Sequence, residues 1–109
     1  MHFKRYKSVI LLLLVAAVPL RSQLVINEIM ASNAGFEYDP DYYNFSDWVE
    51  IKNTGTSAVN IGLYYLSDDL GDLKKWKFPT HSLSAGAYYV VYCDKEDNGR
   101  HTSFGLRTE

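Results

Sequence analysis

Through Ser46–Asn53 apolar and polar positions alternate with a period of two. Val49 and Ile51 fall on one side, and Trp48, Glu50 and Lys52 on the other. That is the pattern of a strand with one face in a core. Shorter signals of the same kind recur along the chain. Leu24–Ala31 comes before it, and Val59–Ser67 resumes β character after the Asn53-Thr-Gly-Thr-Ser57 turn. Lys75-Trp-Lys-Phe78 alternates charge with aromatic and is stopped by Pro79. Ala87–Cys93 is a continuous apolar run, long enough for a strand and too short for a typical helix. Thr102–Leu106 puts Phe104 and Leu106 on one face. Clusters of Gly, Asn, Asp and Ser separate these segments, and no stretch sustains a 3.6-residue period. About six short strands at this spacing predict an all-β sandwich.

One apolar stretch does not fit that scheme. Val9–Val18 is unbroken, follows Lys4, Arg5 and Lys7, and ends at Pro19. Ten residues rise only about 15 Å as a helix, roughly half a hydrocarbon core, so a stable membrane span is not expected. The pattern is that of a secretory signal covering residues 1–22, with residues 23–109 as the domain. Its removal leaves 87 residues in which 13 acidic groups face seven basic ones, a net charge of −6. An acidic surface without a basic stripe argues against nucleic acid as a partner. Cys93 has no second cysteine to pair with, and its apolar neighbours predict a buried free thiol rather than a nucleophile.

The long connection from Asn33 to Phe45 concentrates the candidate chemistry, and connections of this length are usually functional or disordered. Glu37, Asp39 and Asp41 lie in it, and Asp47 opens the next strand. Hard carboxylate oxygens suit Ca²⁺, although their spacing matches no defined calcium loop; a solvated acidic loop is the competing reading. Tyr38, Tyr42 and Tyr43 in the same loop offer large, rigid area for contact with a protein or a sugar. Glu28 and Glu50 project from two strands that would be neighbours, which would allow paired carboxylates. An 87-residue sandwich, however, offers little room for the cleft such a pair needs. Asn27 and Glu28 read more simply as structural hydrogen-bonding groups. His81 and His101 lack the companions of a zinc site or a triad and read as surface or turn residues. No nucleophile elbow or phosphate-binding glycine loop is present.

The segment Asp47-Trp-Val-Glu-Ile-Lys-Asn-Thr-Gly55 resembles the lamin tail domain family, in the branch found in exported bacterial proteins. The resemblance extends from Val25-Ile-Asn-Glu-Ile29 through Tyr64-Tyr-Leu-Ser-Asp-Asp69, Lys75-Trp-Lys-Phe-Pro79 and Leu83-Ser-Ala-Gly86 to His101-Thr-Ser-Phe-Gly-Leu106. Singly these motifs are weak; their order and spacing give the likeness its specificity. It implies an immunoglobulin-like β-sandwich and a non-catalytic module. In such relatives a Gly-Glu turn and one or two closing strands follow the Phe104/Leu106 segment. Here Thr108-Glu109 stands where that turn would begin, so the resemblance implies a sandwich incomplete at its C-terminal side.

These readings converge on an exported β-sandwich module, secreted or at the cell surface. Its expected role is adhesion, anchoring or the positioning of partner domains against a surface protein or glycan. No cofactor is expected beyond the calcium that the acidic loop would suit. Two alternatives stay open: the leading fragment of a larger exported hydrolase or nuclease, and a calcium-dependent carbohydrate-binding module. Ligand and oligomeric state are not legible.

Overall fold

The computed structural model describes residues 11–16, 23–31, 39–42 and 46–106. Among the described residues eight strands run in chain order: β1 (Leu13–Ala16), β2 (Leu24–Met30), β3 (Trp48–Asn53), β4 (Val59–Asn60), β5 (Tyr64–Ser67), β6 (Trp76–Lys77), β7 (Ser82–Leu83) and β8 (Tyr88–Tyr92). They form antiparallel sheets in the orders β2-β3-β8, β1-β5-β6 and β4-β7. The architecture is an immunoglobulin-like β-sandwich, as the strand spacing predicts.

β3 is central in its sheet because it can fill both faces. Val49 and Ile51 are fully buried in the main core with Ile61, Leu66, Phe78 and Val91. On the opposite face Trp48 joins Met30 and Tyr92 in a smaller cluster. The polar remainder of that face is Glu28 directly opposite Glu50, the two carboxylate-bearing positions being paired across β2 and β3. Asn27 Nδ2 donates to Glu50 Oε1 at 2.8 Å, which offsets part of that like-charge pairing and ties strand to strand. Full burial of each large apolar side chain contributes roughly 1.5–3 kcal/mol, so the alternation within β3 alone is a substantial part of what holds the sheets together.

The turn after β3 is fixed by one side chain. Asn53 is fully buried, donates from Nδ2 to Ser57 O at 2.8 Å and to Leu83 O at 2.9 Å, and accepts from Gly55 N–H at 2.9 Å. It joins the β3 turn to β7 and satisfies backbone groups that the tight turn would otherwise leave buried and unpaired.

Two expectations are corrected. Val59–Ser67 is not one strand. A 3-10 turn at Ile61–Leu63 interrupts it, started by Asn60, whose side chain accepts from Gly62 N–H. Thr102–Leu106 forms no strand: Phe104 and Leu106 are buried as the alternation predicts, but only Gly105 bridges, to Asp94. Apolar alternation there reports burial without a backbone ladder. Leu13–Ala16, in the middle of the apolar run read as an export signal, forms β1. It pairs with β5 in the register Leu13 to Ser67 through Ala16 to Tyr64. Leu12, Leu14 and Ala16 pack against the main core. Most of the rest of residues 1–22 lies outside the described residues. Among the described residues no helix is long and apolar enough to cross a membrane.

Candidate functional site

The site is built on a turn that begins where β8 ends. Cys93 N–H donates to Asp47 O at 2.7 Å, pinning the end of β8 to the start of β3. From Asp94 the chain leaves the sheet and turns back at Asn98-Gly99. His101 N–H closes the turn onto Asn98 O at 3.0 Å, with Gly99 at φ 56° taking a conformation that favours glycine. Lys95 and Asp97 also sit at positive φ, 68° and 50°. Thr102 N–H returns to Tyr92 O at 2.8 Å. The result places His101 beside both Asp94 and Tyr92.

His101 is almost fully buried, 2% exposed, and each ring nitrogen faces a carboxylate. Nδ1 lies 2.6 Å from Asp94 Oδ2, and Nε2 lies 2.8 Å from Asp41 Oδ2. Its ring stacks on Tyr92 (centroids 5.2 Å, 23°) and meets the Tyr42 ring at 4.6 Å and 85°. Asp39 is buried beside it. Its Oδ1 accepts from Asp41 N–H at 2.8 Å, and its Oδ2 stands 3.9 Å from His101 Nδ1 with no hydrogen-bond partner among the described residues. Arg100 grips Asp41 with two hydrogen bonds, Nε at 2.8 Å and an Nη at 3.1 Å, and lies over the Tyr92 ring.

Electrostatics follow from these contacts. The hydrogen bond from Arg100 first, and that from His101 second, hold the Asp41 carboxyl at about 2. Burial works against charge on His101. The hydrogen bonds to Asp41 and Asp94 and the charges of Asp94 and Asp39 outweigh it, and the imidazole pKa is raised above its ordinary 6.5. The ring thus binds a proton more firmly than a free histidine and cross-links two segments 60 residues apart.

Between the 39–42 segment and the 98–101 turn opens a cleft of about 570 Å³. Tyr42, Asp41, Asn98 and Arg100 line it, with Asn98 Nδ2 donating to the Tyr42 hydroxyl at 3.3 Å. An aromatic ring, an amide, a guanidinium and a carboxylate held by short hydrogen bonds can clasp a polar ligand of several hydroxyl or amide groups.

Of the residues picked from sequence, Asp39, Asp41 and Tyr42 come together here. Asp47 sits at the start of β3, and its carbonyl anchors Cys93. Glu37, Tyr38 and Tyr43 lie outside the described residues. His101, expected at the surface or in a turn, is in the turn but buried, because the 39–42 segment folds over it. Asp94, Asn98 and Arg100 were not singled out. The Asn98-Gly99 pair is a strong hairpin signal, and a reversal there brings His101 back to Asp94. His81 is exposed, its ring 5.1 Å from Tyr89. The Glu28/Glu50 pair lines a separate shallow groove of about 220 Å³ with Trp48, Val90 and Tyr92.

No solved structure matches the chain at a significant level. The lamin tail domain model matches residues 18–108, which takes in every strand from β2 onward and leaves β1 outside. That family is a non-enzymatic immunoglobulin-like domain, in keeping with the sandwich and its bulged β2–β3 pairing. With the match running from residue 18 to residue 108, the chain belongs to the lamin tail domain family.

Proposed function

We propose that the chain is an exported, non-catalytic binding module that attaches to a protein or glycan at the cell surface through the cleft beside His101. The observation that carries this reading is the convergence of Tyr42, Asp41, Asn98 and Arg100 on one cleft, held over a buried histidine. An aromatic face with donors and acceptors already placed by hydrogen bonds is the chemistry of polar ligand recognition, and side chains placed in advance lower the ordering cost of binding. The net charge of −6 after removal of residues 1–22 favours neutral or basic partners over nucleic acid. The basic start and ten-residue apolar run support export.

The test is a glycan array and a whole-cell binding assay with the exported protein and its Tyr42→Ala and Asn98→Ala variants. Saturable binding that both variants weaken, with thermal unfolding unchanged, supports the reading. Absence of binding to any glycan or cell surface, or binding indifferent to both substitutions, overturns it.

A further inference from the structure

We propose that Asn98-Gly99 is a site of spontaneous covalent modification, at which Asn98 exchanges its side-chain amide for a carboxylate through a cyclic imide. The nucleophile is the Gly99 backbone nitrogen, and the electrophile is Asn98 Cγ. Asn98 is the one asparagine of the chain that glycine follows. A glycine there has no Cβ to crowd the nitrogen as the ring closes. Both residues are exposed at the tip of the turn. The turn closes through Asn98 N–H to His101 O at 3.2 Å and His101 N–H to Asn98 O at 3.0 Å. Gly99 N–H lies outside that pair and donates to no acceptor among the described residues. No atom stands within 4 Å of where a Cβ on Gly99 would be, so its side of the turn is open. The Asn98 amide is held loosely as well. Its bond to the Tyr42 hydroxyl, at 3.3 Å, is longer than the usual range of about 2.7–3.2 Å. The other described asparagines lack this combination. Asn53 is buried, with its amide on two carbonyls. Asn27 donates to Glu50 and precedes Glu28, and Asn60 accepts from Gly62 N–H and precedes β-branched Ile61.

The Gly99 nitrogen gives up its proton and bonds to Asn98 Cγ. The Cγ–Nδ2 bond breaks, and Nδ2 departs as ammonia with that proton. Water then opens the imide at either carbonyl, its hydroxyl going to carbon and its hydrogen to nitrogen. Opening at Cγ leaves an aspartyl residue. Opening at the main-chain carbon leaves an isoaspartyl residue, whose backbone runs through Cβ and Cγ. No reactant beyond water is needed. Either product removes the amide donor that faces Tyr42 and adds a negative charge beside Asp41. The isoaspartyl form also takes the Asn98 carbonyl, the acceptor of His101 N–H, out of the main chain. The His101 ring is held between Asp94 and Asp41, so a change in that turn moves the ring. The composition of the cleft thus changes with the age of the chain.

The change is read by mass without any ligand, so its outcome is independent of what the cleft binds. The full chain is incubated folded, at mildly alkaline pH and body temperature, beside a free peptide of residues 94–102. Peptide mapping is expected to show the amide-to-acid change at Asn98 at a rate within tenfold of the peptide's, with isoaspartate among the products. Asn53 and Asn60 should stay amides. Asn98→Gln, whose longer side chain closes the imide far more slowly, should stay unmodified over the same period. The aged chain, separated by its added negative charge, should show displaced His101 ring resonances. A folded-chain rate more than tenfold below the peptide's, conversion no faster than at Asn60, or an aged chain whose His101 resonances have not moved overturns the proposal.

Discussion

Asp94 Oδ2 lies 2.6 Å from His101 Nδ1, and this contact joins the start of the last turn to its end. Because the histidine reaches Asp41 with its other nitrogen, one imidazole ring holds the turn and the 39–42 segment together.

Stability should therefore depend on pH on the alkaline side. The folded-state pKa of His101 is raised above 6.5. Its contribution is complete below the unfolded value and is lost as pH rises through the folded one. The Tm should decline as pH is taken upward past 6.5, and the decline should vanish in His101→Gln. An NMR titration that places the His101 ring below 6.5 would contradict this. Asp41 works in the opposite direction. Held at about 2, its contribution is present above 3.8 and is lost as pH falls from there toward 2.

How much of this was legible depends on whether the cause is local. The alternation of Trp48 to Lys52 is a property of one strand, and it gave β3 and its buried face directly. Asn53-Thr-Gly55 announces its own turn. His101 is different: its burial depends on Asp41, 60 residues earlier, and no window of sequence contains both. The 3-10 turn at Ile61–Leu63 was masked by the apolar residues around it, although Asn60 is a recognisable cap. β7 has only two residues and carries no period. Leu13–Ala16 carries no alternation that would mark it as a strand. An apolar run with β-branched and leucine residues serves a secretory signal and a sheet edge equally well.

Asn53 is expected to be the most sensitive polar position. Its three hydrogen bonds are made by a fully buried side chain. Asn53→Ala strands Leu83 O, Ser57 O and Gly55 N–H, and an orphaned buried group costs about 1–3 kcal/mol. A loss of roughly 2–4 kcal/mol in urea unfolding is expected, on the basis of two such groups finding no water. A loss below about 0.5 kcal/mol, the level of an ordinary surface change, would mean that the turn relaxes to solvent.

Cys93 should be inert in the folded protein. Burial pushes its thiol up to about 12, so almost no thiolate exists near neutral pH. Alkylation by iodoacetamide at neutral pH should proceed only in step with global unfolding. Modification much faster than unfolding would show that the end of β8 opens on its own.

The last prediction concerns the edge that β1 covers. Leu13–Ala16 pairs along the whole of β5, and β5 pairs with β6 on its other side. The family match begins at residue 18, so this strand lies outside the matched span. A chain cut after Ser22 would lack it. The outer backbone groups of Tyr64–Ser67 then lose their ladder, and Leu12, Leu14 and Ala16 leave the core. Leu66 and Tyr64, 0% and 3% exposed, lose part of their cover. Burial of a large side chain contributes roughly 1.5–3 kcal/mol, against a net stability of about 5–15 kcal/mol for a typical domain. Partial loss at several positions thus removes much of the margin. An uncovered apolar edge also templates pairing with another strand. A chain starting at Gln23 should accordingly melt well below the full chain and sediment as a dimer or larger species through β5. Placing a proline at Tyr65, whose backbone faces β1 because Tyr64 and Leu66 bond toward β6, removes a donor from that edge and should suppress the association in whatever fraction stays folded. Sedimentation velocity with thermal unfolding on both lengths measures this. If the shorter chain is monomeric and melts cooperatively above about 60 °C, near the top of the mesophile range, then β1 is dispensable and the edge is closed by other means.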